Sequence, residues 1–287
     1  MDAFLHGWQH LPEQMNPVLF QIGSFRIQYY GLMYLVAFAV AYGLAVFRIR
    51  HEDRFRMSGE TLLNLITALI FGLIIGARLG YVVFYNFTYY LHHPLEIILP
   101  FQFSDSIRFT GITGMSYHGG LIGTVIAMII FTRKNKLGFF HTTDLIVPCI
   151  PLGYTFGRIG NFINGELYGR VTELSIGMYF PYSPGFDRRH PSQLYEAFFE
   201  GIVLFIVLWT VKGRVKTTGA MLALYLMGYG LVRFFIEYTR EPDAHLGFVF
   251  LSFSMGQVLC MAMILSGGLL WILLKRHFAV MPEKQNA

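Results

Sequence analysis

The chain has 287 residues, of which 54% are hydrophobic and only 14% charged, with a mean hydropathy of +0.50. A soluble domain carries about 25% charged residues, so a water-soluble fold is excluded and an integral membrane protein is expected. The formal net charge of +5 comes from basic residues spread over loops rather than gathered on one face, which argues against a nucleic-acid partner.

A spanning helix needs about 20 mainly apolar residues. Seven such stretches occur in chain order, at about 28–47, 62–84, 118–132, 142–157, 194–211, 219–238 and 252–274. The expected fold is therefore an all-α polytopic membrane protein with seven transmembrane helices. No basic region precedes the first apolar run, so no signal peptide is expected. In the second stretch Gly72, Gly76 and Gly80 recur every four residues, a smooth stripe for close helix packing. The third and fourth stretches are short and interrupted by glycine, which suits tilted or partly re-entrant segments shielded by neighbours. Cys149 and Cys260 lie far apart in apolar runs and read as small core hydrophobes without metal spacing. The chain shows no internal repeat and no second soluble domain, so 1–287 reads as a single transmembrane domain.

The loops alternate in charge. Arg48, Arg50, Arg54 and Arg56 follow the first stretch, Arg133, Lys134 and Lys136 the third, Lys212, Arg214 and Lys216 the fifth, and Lys275, Arg276 and Lys284 the seventh. These thirteen of 22 basic residues mark the cytoplasmic side by the positive-inside rule. The N-terminus is then outside and the C-terminus inside. The other nine, Arg26, Arg78, Arg108, Arg158, Arg170, Arg188, Arg189, Arg233 and Arg240, are all arginine. Arginine grips phosphate with a planar fork and keeps its charge, so an anionic headgroup site fits this bias; arginine also snorkels well at interfaces. The outer segments at about 85–117 and 158–193 are long, and the second is expected to form a small head over the bundle.

Polar residues cluster on this outer side. His118 opens the third stretch within Gly114-Met115-Ser116-Tyr117-His118-Gly119-Gly120. A neutral imidazole can take a proton from a nucleophile, and paired glycines let a substrate approach the backbone; an interfacial histidine that merely hydrogen-bonds a neighbour is the alternative. The segment 157–170 places Arg158, Asn161 and Asn164 three apart on one helical stripe, with Glu166 and Arg170 four apart and able to pair. Ionisable groups at a bilayer edge are costly, which favours a functional site here; a polar helix end with its groups capped is the alternative. Arg233, Glu237 and Arg240 share one face at the end of the sixth stretch; a purely structural Arg233–Glu237 ion pair is one reading, and a pair that holds Arg233 in position for a substrate phosphate is the other, compatible with it. Gln193, Glu196 and Glu200 are expected to make structural hydrogen bonds to other spans. Tyr30 opens the first stretch, and Arg78, near the outer end of the second, is expected to meet a lipid phosphate or a buried carboxylate. Neither a serine nucleophile elbow nor a P-loop is present, which argues against covalent hydrolysis and ATP-driven work.

At Tyr30-Gly31-Leu32-Met33-Tyr34, Gly76-Ala77-Arg78-Leu79-Gly80-Tyr81, Ser116-Tyr117-His118-Gly119-Gly120-Leu121, the 157–170 segment, His190-Pro191-Ser192-Gln193 and Arg233 through Asp243, the chain resembles the bacterial prolipoprotein diacylglyceryl transferases. The motifs stand in the family's order over about 16–260, and Gly157-Arg158-x-Gly160-Asn161-Phe162-x-Asn164-x-Glu166 is its signature. The resemblance implies a seven-span inner-membrane enzyme with a periplasmic N-terminus, a cytoplasmic C-terminus and a periplasmic head at 158–193. It implies transfer of the diacylglyceryl group of phosphatidylglycerol to the lipobox cysteine thiol of a preprolipoprotein, with release of glycerol phosphate and no metal or other cofactor. His118, Arg158 and Arg233 become the candidate catalytic residues. Tyr30, Arg78, Asn161, Asn164, Glu166, Glu237 and Arg240 become the candidate substrate-binding set, facing the periplasm among membrane lipids. The alternative from another class is a phospholipid transporter or scaffold that binds lipid at the same arginines and changes no bond.

Overall fold

The computed structural model describes residues 2–23, 25–99, 101–102, 108–109, 114–241, 248–250 and 253–280. The helices are α1 (Asp2–Gln9), α2 (Tyr29–His51), α3 (Gly59–Tyr85), α4 (Phe87–His92), α5 (Tyr117–Lys134), α6 (Phe139–Ile146), α7 (Ile150–Ile163), α8 (Ser192–Tyr195), α9 (Leu204–Val211), α10 (Ala220–Ile236) and α11 (Met255–Val280). Among the described residues, short antiparallel pairings join β1 (Val18–Ile22) with β2 (Phe25–Gln28), β3 (Phe101–Gln102) with β4 (Arg108–Phe109), and β5 (Phe248–Phe250) with β6 (Phe253–Ser254). A helical segment lies at each of the seven apolar stretches. Among the described residues four helices are long and apolar enough to cross a membrane, Tyr29–His51, Gly59–Tyr85, Ser192–Val211 and Met255–His277, and α10 is apolar but shorter. The protein is thus a helical, multi-pass membrane protein.

The helices divide into two compact units, Ile49–Thr142 and the remainder of the chain. In the 49–142 unit, α3 and α5 pack with their backbones almost in contact. A Cβ placed on Gly80 would lie 2.7 Å from Gly119 Cα, and one on Gly76 would lie 2.7 Å from Gly123 Cα. Without a hydrophobic drive between helices in lipid, such small-residue seams let van der Waals packing hold the pair. Gly119 therefore serves this seam, where the sequence had suggested room for a substrate.

The second unit contains α7, which enters through a proline-marked 3-10 turn, Val147–Cys149, with Pro151 in its first turn. Proline there gives up no intrahelical hydrogen bond. The fourth stretch is thus interrupted midway, where Pro148 and Pro151 mark the passage from α6 into α7. Gly153 and Gly160, seven apart on α7, face α2, with Ala37 O 2.8 Å and Met33 Cβ 3.2 Å from a Cβ built on each. Between α8 and α9 the chain winds as a π-helix, Glu196–Val203. Wider π turns leave backbone groups to be satisfied from outside the helix, and Thr155 Oγ1 of α7 donates to Ala197 O at 3.2 Å.

At one end of this unit Arg48, expected to be a loop charge, is fully buried. Its Nη1 donates to the carbonyls of Asp144 and Leu145 at 2.5 and 2.6 Å. The Asp144 carboxylate accepts from the amides of Gly219 and Met221 at 2.7 and 3.0 Å, capping the start of α10 where the helix dipole favours an anion. At the other end, residues between α7 and α8 form a small non-helical module. Its core is Phe162, Met178 and Phe180, with Trp8, Leu11 and Met15 packed against it. Trp8 Nε1 donates to Ile176 O at 3.0 Å, and the Tyr179 amide donates to Gln9 O at 2.8 Å. Residues 8–15 thus add to this module, which the sequence placed at 158–193 alone.

Candidate functional site

The expected arginines, apart from Arg78, converge inside the second unit. Arg158 sits one turn before the end of α7, and its Nε lies 2.6 Å from both Tyr154 Oη and Glu196 Oε2. Its Nη1 donates to Asn161 Oδ1 at 3.3 Å, and Asn161 Nδ2 donates to Glu166 Oε1 at 2.8 Å. Three-residue spacing on a helix produces this contact, and the chain turn at Gly165, with φ of 66°, folds Glu166 back onto Asn161. Asn164 Nδ2 also reaches Glu166 Oε1, at 3.5 Å. The expected Glu166–Arg170 pair is not made: Glu166 takes its donors from the two asparagines, and Arg170 Nε donates to Arg240 O at 2.6 Å. Tyr30, carried by α2, donates or accepts with Tyr34 Oη at 2.9 Å and lies beside Asn161 and Glu166.

The sixth stretch contributes as its spacing predicted. Arg233 Nη2 lies 3.0 Å from Glu237 Oε2, and Arg240 Nε lies 3.7 Å from the same oxygen. Arg240 Nη1 lies 2.6 Å from Glu196 Oε1, and Arg233 Nη1 lies 3.2 Å from Glu196 Oε1 and 3.5 Å from Glu200 Oε1. Tyr154 Oη donates to Glu200 Oε2 at 2.5 Å. Glu196 and Glu200 thus do reach other helices, as expected, but they bind the very guanidinium groups assigned to the substrate. The convergence of three arginines on Glu196 was not visible in sequence; the available signal was a pair of glutamates four apart in an otherwise apolar helix.

The start of α11 supplies a support that sequence reasoning missed. Ser254 Oγ donates to Glu237 Oε1 at 3.0 Å, and Gln257 Oε1 accepts from the Ser254 amide at 3.0 Å. A Cβ on Gly256 would overlap the Glu237 carboxylate, so glycine permits this close approach. The module between α7 and α8 is tied to the same place, because the Arg170 amide donates to Thr239 O at 2.9 Å. His190 takes part structurally. Its amide donates to Arg170 O at 3.0 Å, its ring meets Tyr195 Oη at 3.2 Å, and burial pushes its imidazole below the ordinary histidine value.

The 49–142 unit carries His118 and Arg78. His118 lies on the first turn of α5, exposed, and among the described residues its ring meets only Tyr117, centroids 5.6 Å apart. Ser116 caps that helix, its Oγ accepting from the Gly119 amide at 3.3 Å. Arg78 is buried. It donates to the backbone carbonyls of Ile97, at 2.9 Å, Gly114, at 3.3 Å, and Glu96, with its guanidinium 5.0 Å from the Tyr90 ring centroid. Arg78 thereby fastens the strand of chain that leads into α5 and His118. Arg108 and Pro242-Asp243 carry side chains outside the described residues. Among the described residues no group of three or more His, Cys, Asp or Glu side chains is arranged to hold a metal ion.

A family model for prolipoprotein diacylglyceryl transferase matches residues 17–273. The chain is 56% identical over 272 residues to the phosphatidylglycerol–prolipoprotein diacylglyceryl transferase of Chlorobaculum tepidum, covering 93% of this chain and 92% of that protein. Proteins of the same name from Bordetella parapertussis, 46% identical over 263 residues, and Coxiella burnetii, 44% over 259, are covered to 97% and 95%, with 92% and 90% of this chain aligned.

Proposed function

Because this chain belongs to the prolipoprotein diacylglyceryl transferase family, we propose that it moves the diacylglyceryl group of phosphatidylglycerol onto the lipobox cysteine thiol of a preprolipoprotein. The observation that carries this reading is the convergence of Arg158, Arg233 and Arg240 at the ends of two membrane helices. These guanidinium groups are fixed cations with forked donors, suited to a phosphodiester and to the charge that grows when it leaves.

The thiolate is the nucleophile. His118 takes the thiol proton as general base. The thiolate attacks the glycerol carbon bearing the phosphate ester; a carbon–sulfur bond forms, and the carbon–oxygen bond breaks with its electron pair passing to the phosphate oxygen. Glycerol phosphate departs, and His118 later releases its proton to water. Arg158 and Arg233 hold the phosphate, Arg240 adds positive charge beside them, and Asn161, Asn164, Glu166, Glu237 and Tyr30 fix their geometry. Arg78 acts at one remove, through the segment before His118. The reading places seven spans in the bacterial inner membrane, the N-terminus and the 158–193 head in the periplasm and the reaction on that side. Helices at all seven apolar stretches and the alternation of basic loops support it.

The test is purified His118→Gln and Arg158→Ala, each assayed with phosphatidylglycerol and a lipobox peptide for peptide mass gain and glycerol phosphate release. Each substitution should lower turnover about 100–1000-fold. Near-wild-type turnover in both folded variants defeats the assigned roles, and a wild-type protein that leaves the peptide mass unchanged supports the transporter reading instead.

A further inference from the structure

Three cations and three carboxylates make up the contact set of the arginine cluster: Arg158, Arg233 and Arg240 against Glu196, Glu200 and Glu237. Glu196 alone touches all three arginines, at 2.6, 3.2 and 2.6 Å. Its side chain is fully enclosed, whereas those of Arg158, Arg233 and Arg240 are 17%, 15% and 18% exposed. Glu196 is therefore the enclosed partner of the cluster, and the three arginine side chains are the part of it that keeps some exposure. Arg233 Nη1 lies 3.2 Å from Glu196 Oε1 and 3.5 Å from Glu200 Oε1 but makes a hydrogen bond of good geometry to neither, so its hold on the Glu196 carboxylate is chiefly that of charge.

The ligand of this site changes charge during the proposed reaction, on which this inference rests. Phosphatidylglycerol presents a phosphodiester with one negative charge. The glycerol phosphate left behind is a monoester with about −1.5 to −2 at neutral pH. Three uncompensated guanidinium groups would hold the product more tightly than the substrate, and turnover would stall on release. We infer that Glu196 is the resident counter-anion of the phosphate site, competing with phosphate for Arg158, Arg233 and Arg240 and so weakening the hold on the more highly charged product. A carboxylate that only positions the arginines predicts the opposite sign, because its neutralisation would scatter them and weaken both ligands.

The experiment compares the wild-type full chain with E196Q, both in phosphatidylglycerol-containing bilayer discs. It measures KM for the lipid, kcat, and inhibition by added glycerol phosphate. E196Q is expected to lower the inhibition constant for glycerol phosphate about tenfold, lower KM for the lipid by a smaller factor, and lower kcat through slow release. An unchanged or raised inhibition constant in folded E196Q overturns the inference. E196D withdraws the carboxylate by one methylene and should shift the inhibition constant the same way by about 2–5-fold; if E196Q does not accumulate folded, an unshifted or raised constant in E196D overturns the inference equally. Wild-type protein that transfers no lipid to the peptide defeats the transferase reading, whereas wild-type transfer without the shift in E196Q defeats only the role of Glu196.

Discussion

Arg158 Nε is shared between Tyr154 Oη and Glu196 Oε2, and its Nη1 goes to Asn161 Oδ1. A lysine at this position keeps the charge but offers a single point in place of a planar fork, so it cannot meet Glu196 and Asn161 together and still face a phosphate. Arg158→Lys is expected to lower kcat/KM about 100-fold, read by steady-state transfer to a lipobox peptide. Activity within a few-fold of wild type would show that charge alone suffices. The local part of this arrangement was legible in sequence, since spacing alone put Arg158 near Asn161 and Arg233 near Glu237. The part carried by contacts between helices was not: no spacing rule brings Glu196 of one segment to arginines of two others. Arg78 shows the same limit. Its sequence position suggested a lipid phosphate or carboxylate, yet among its donors three serve the carbonyls of residues 96, 97 and 114, and buried backbone acceptors need such partners.

Among the helices, the α3–α5 seam was half visible beforehand. The stripe Gly72, Gly76, Gly80 announced a close neighbour, but nothing in the spacing names Gly119 and Gly123 as its partners. The π-helix at Glu196–Val203 has no local sequence signal, and the close approach of Gly201 within it to Thr155 is a contact between segments that spacing does not announce. The seam yields a sharp contrast between two alanines. On Gly76 a Cβ would meet Gly119 O and sit 2.7 Å from Gly123 Cα, both backbone atoms that cannot swing aside, whereas on Gly43 of α2 it would find nothing within 4 Å. Gly76→Ala is expected to cost about 1–3 kcal/mol through overpacking, and to depress activity because α5 carries His118 on its first turn. Gly43→Ala is expected to be neutral or to stabilise by about 0.5–1 kcal/mol. Thermal unfolding in detergent, monitored by a dye reactive to newly exposed cysteine, reads both. Equal melting temperatures for the two variants would mean that the seam tolerates separation.

At the scale of the whole chain, composition settled the membrane class, and the basic loops supplied an orientation by the positive-inside rule. One of those loop charges, Arg48, is instead a buried clasp on Asp144 and Leu145, because a run of arginines at a helix end does not say which of them turns inward. The role of residues 8–15 in the module between α7 and α8 was likewise hidden, since the contacts of Trp8 and Gln9 with residues 175–179 span most of the sequence. The orientation itself has a clean test. The native cysteines Cys149 and Cys260 are buried, so new surface cysteines can be read against a low background. Phe186, 98% exposed on the 158–193 segment, stands for the periplasmic side, and the exposed Lys134 and Lys216 stand for the cytoplasmic side. In spheroplasts a membrane-impermeant maleimide should label Phe186→Cys at once, and Lys134→Cys and Lys216→Cys only after permeabilisation. A reversed pattern would put the arginine cluster's module in the cytoplasm. The reaction could not then meet a lipobox cysteine on the outer side, and the functional assignment of that face would have to be withdrawn along with the topology.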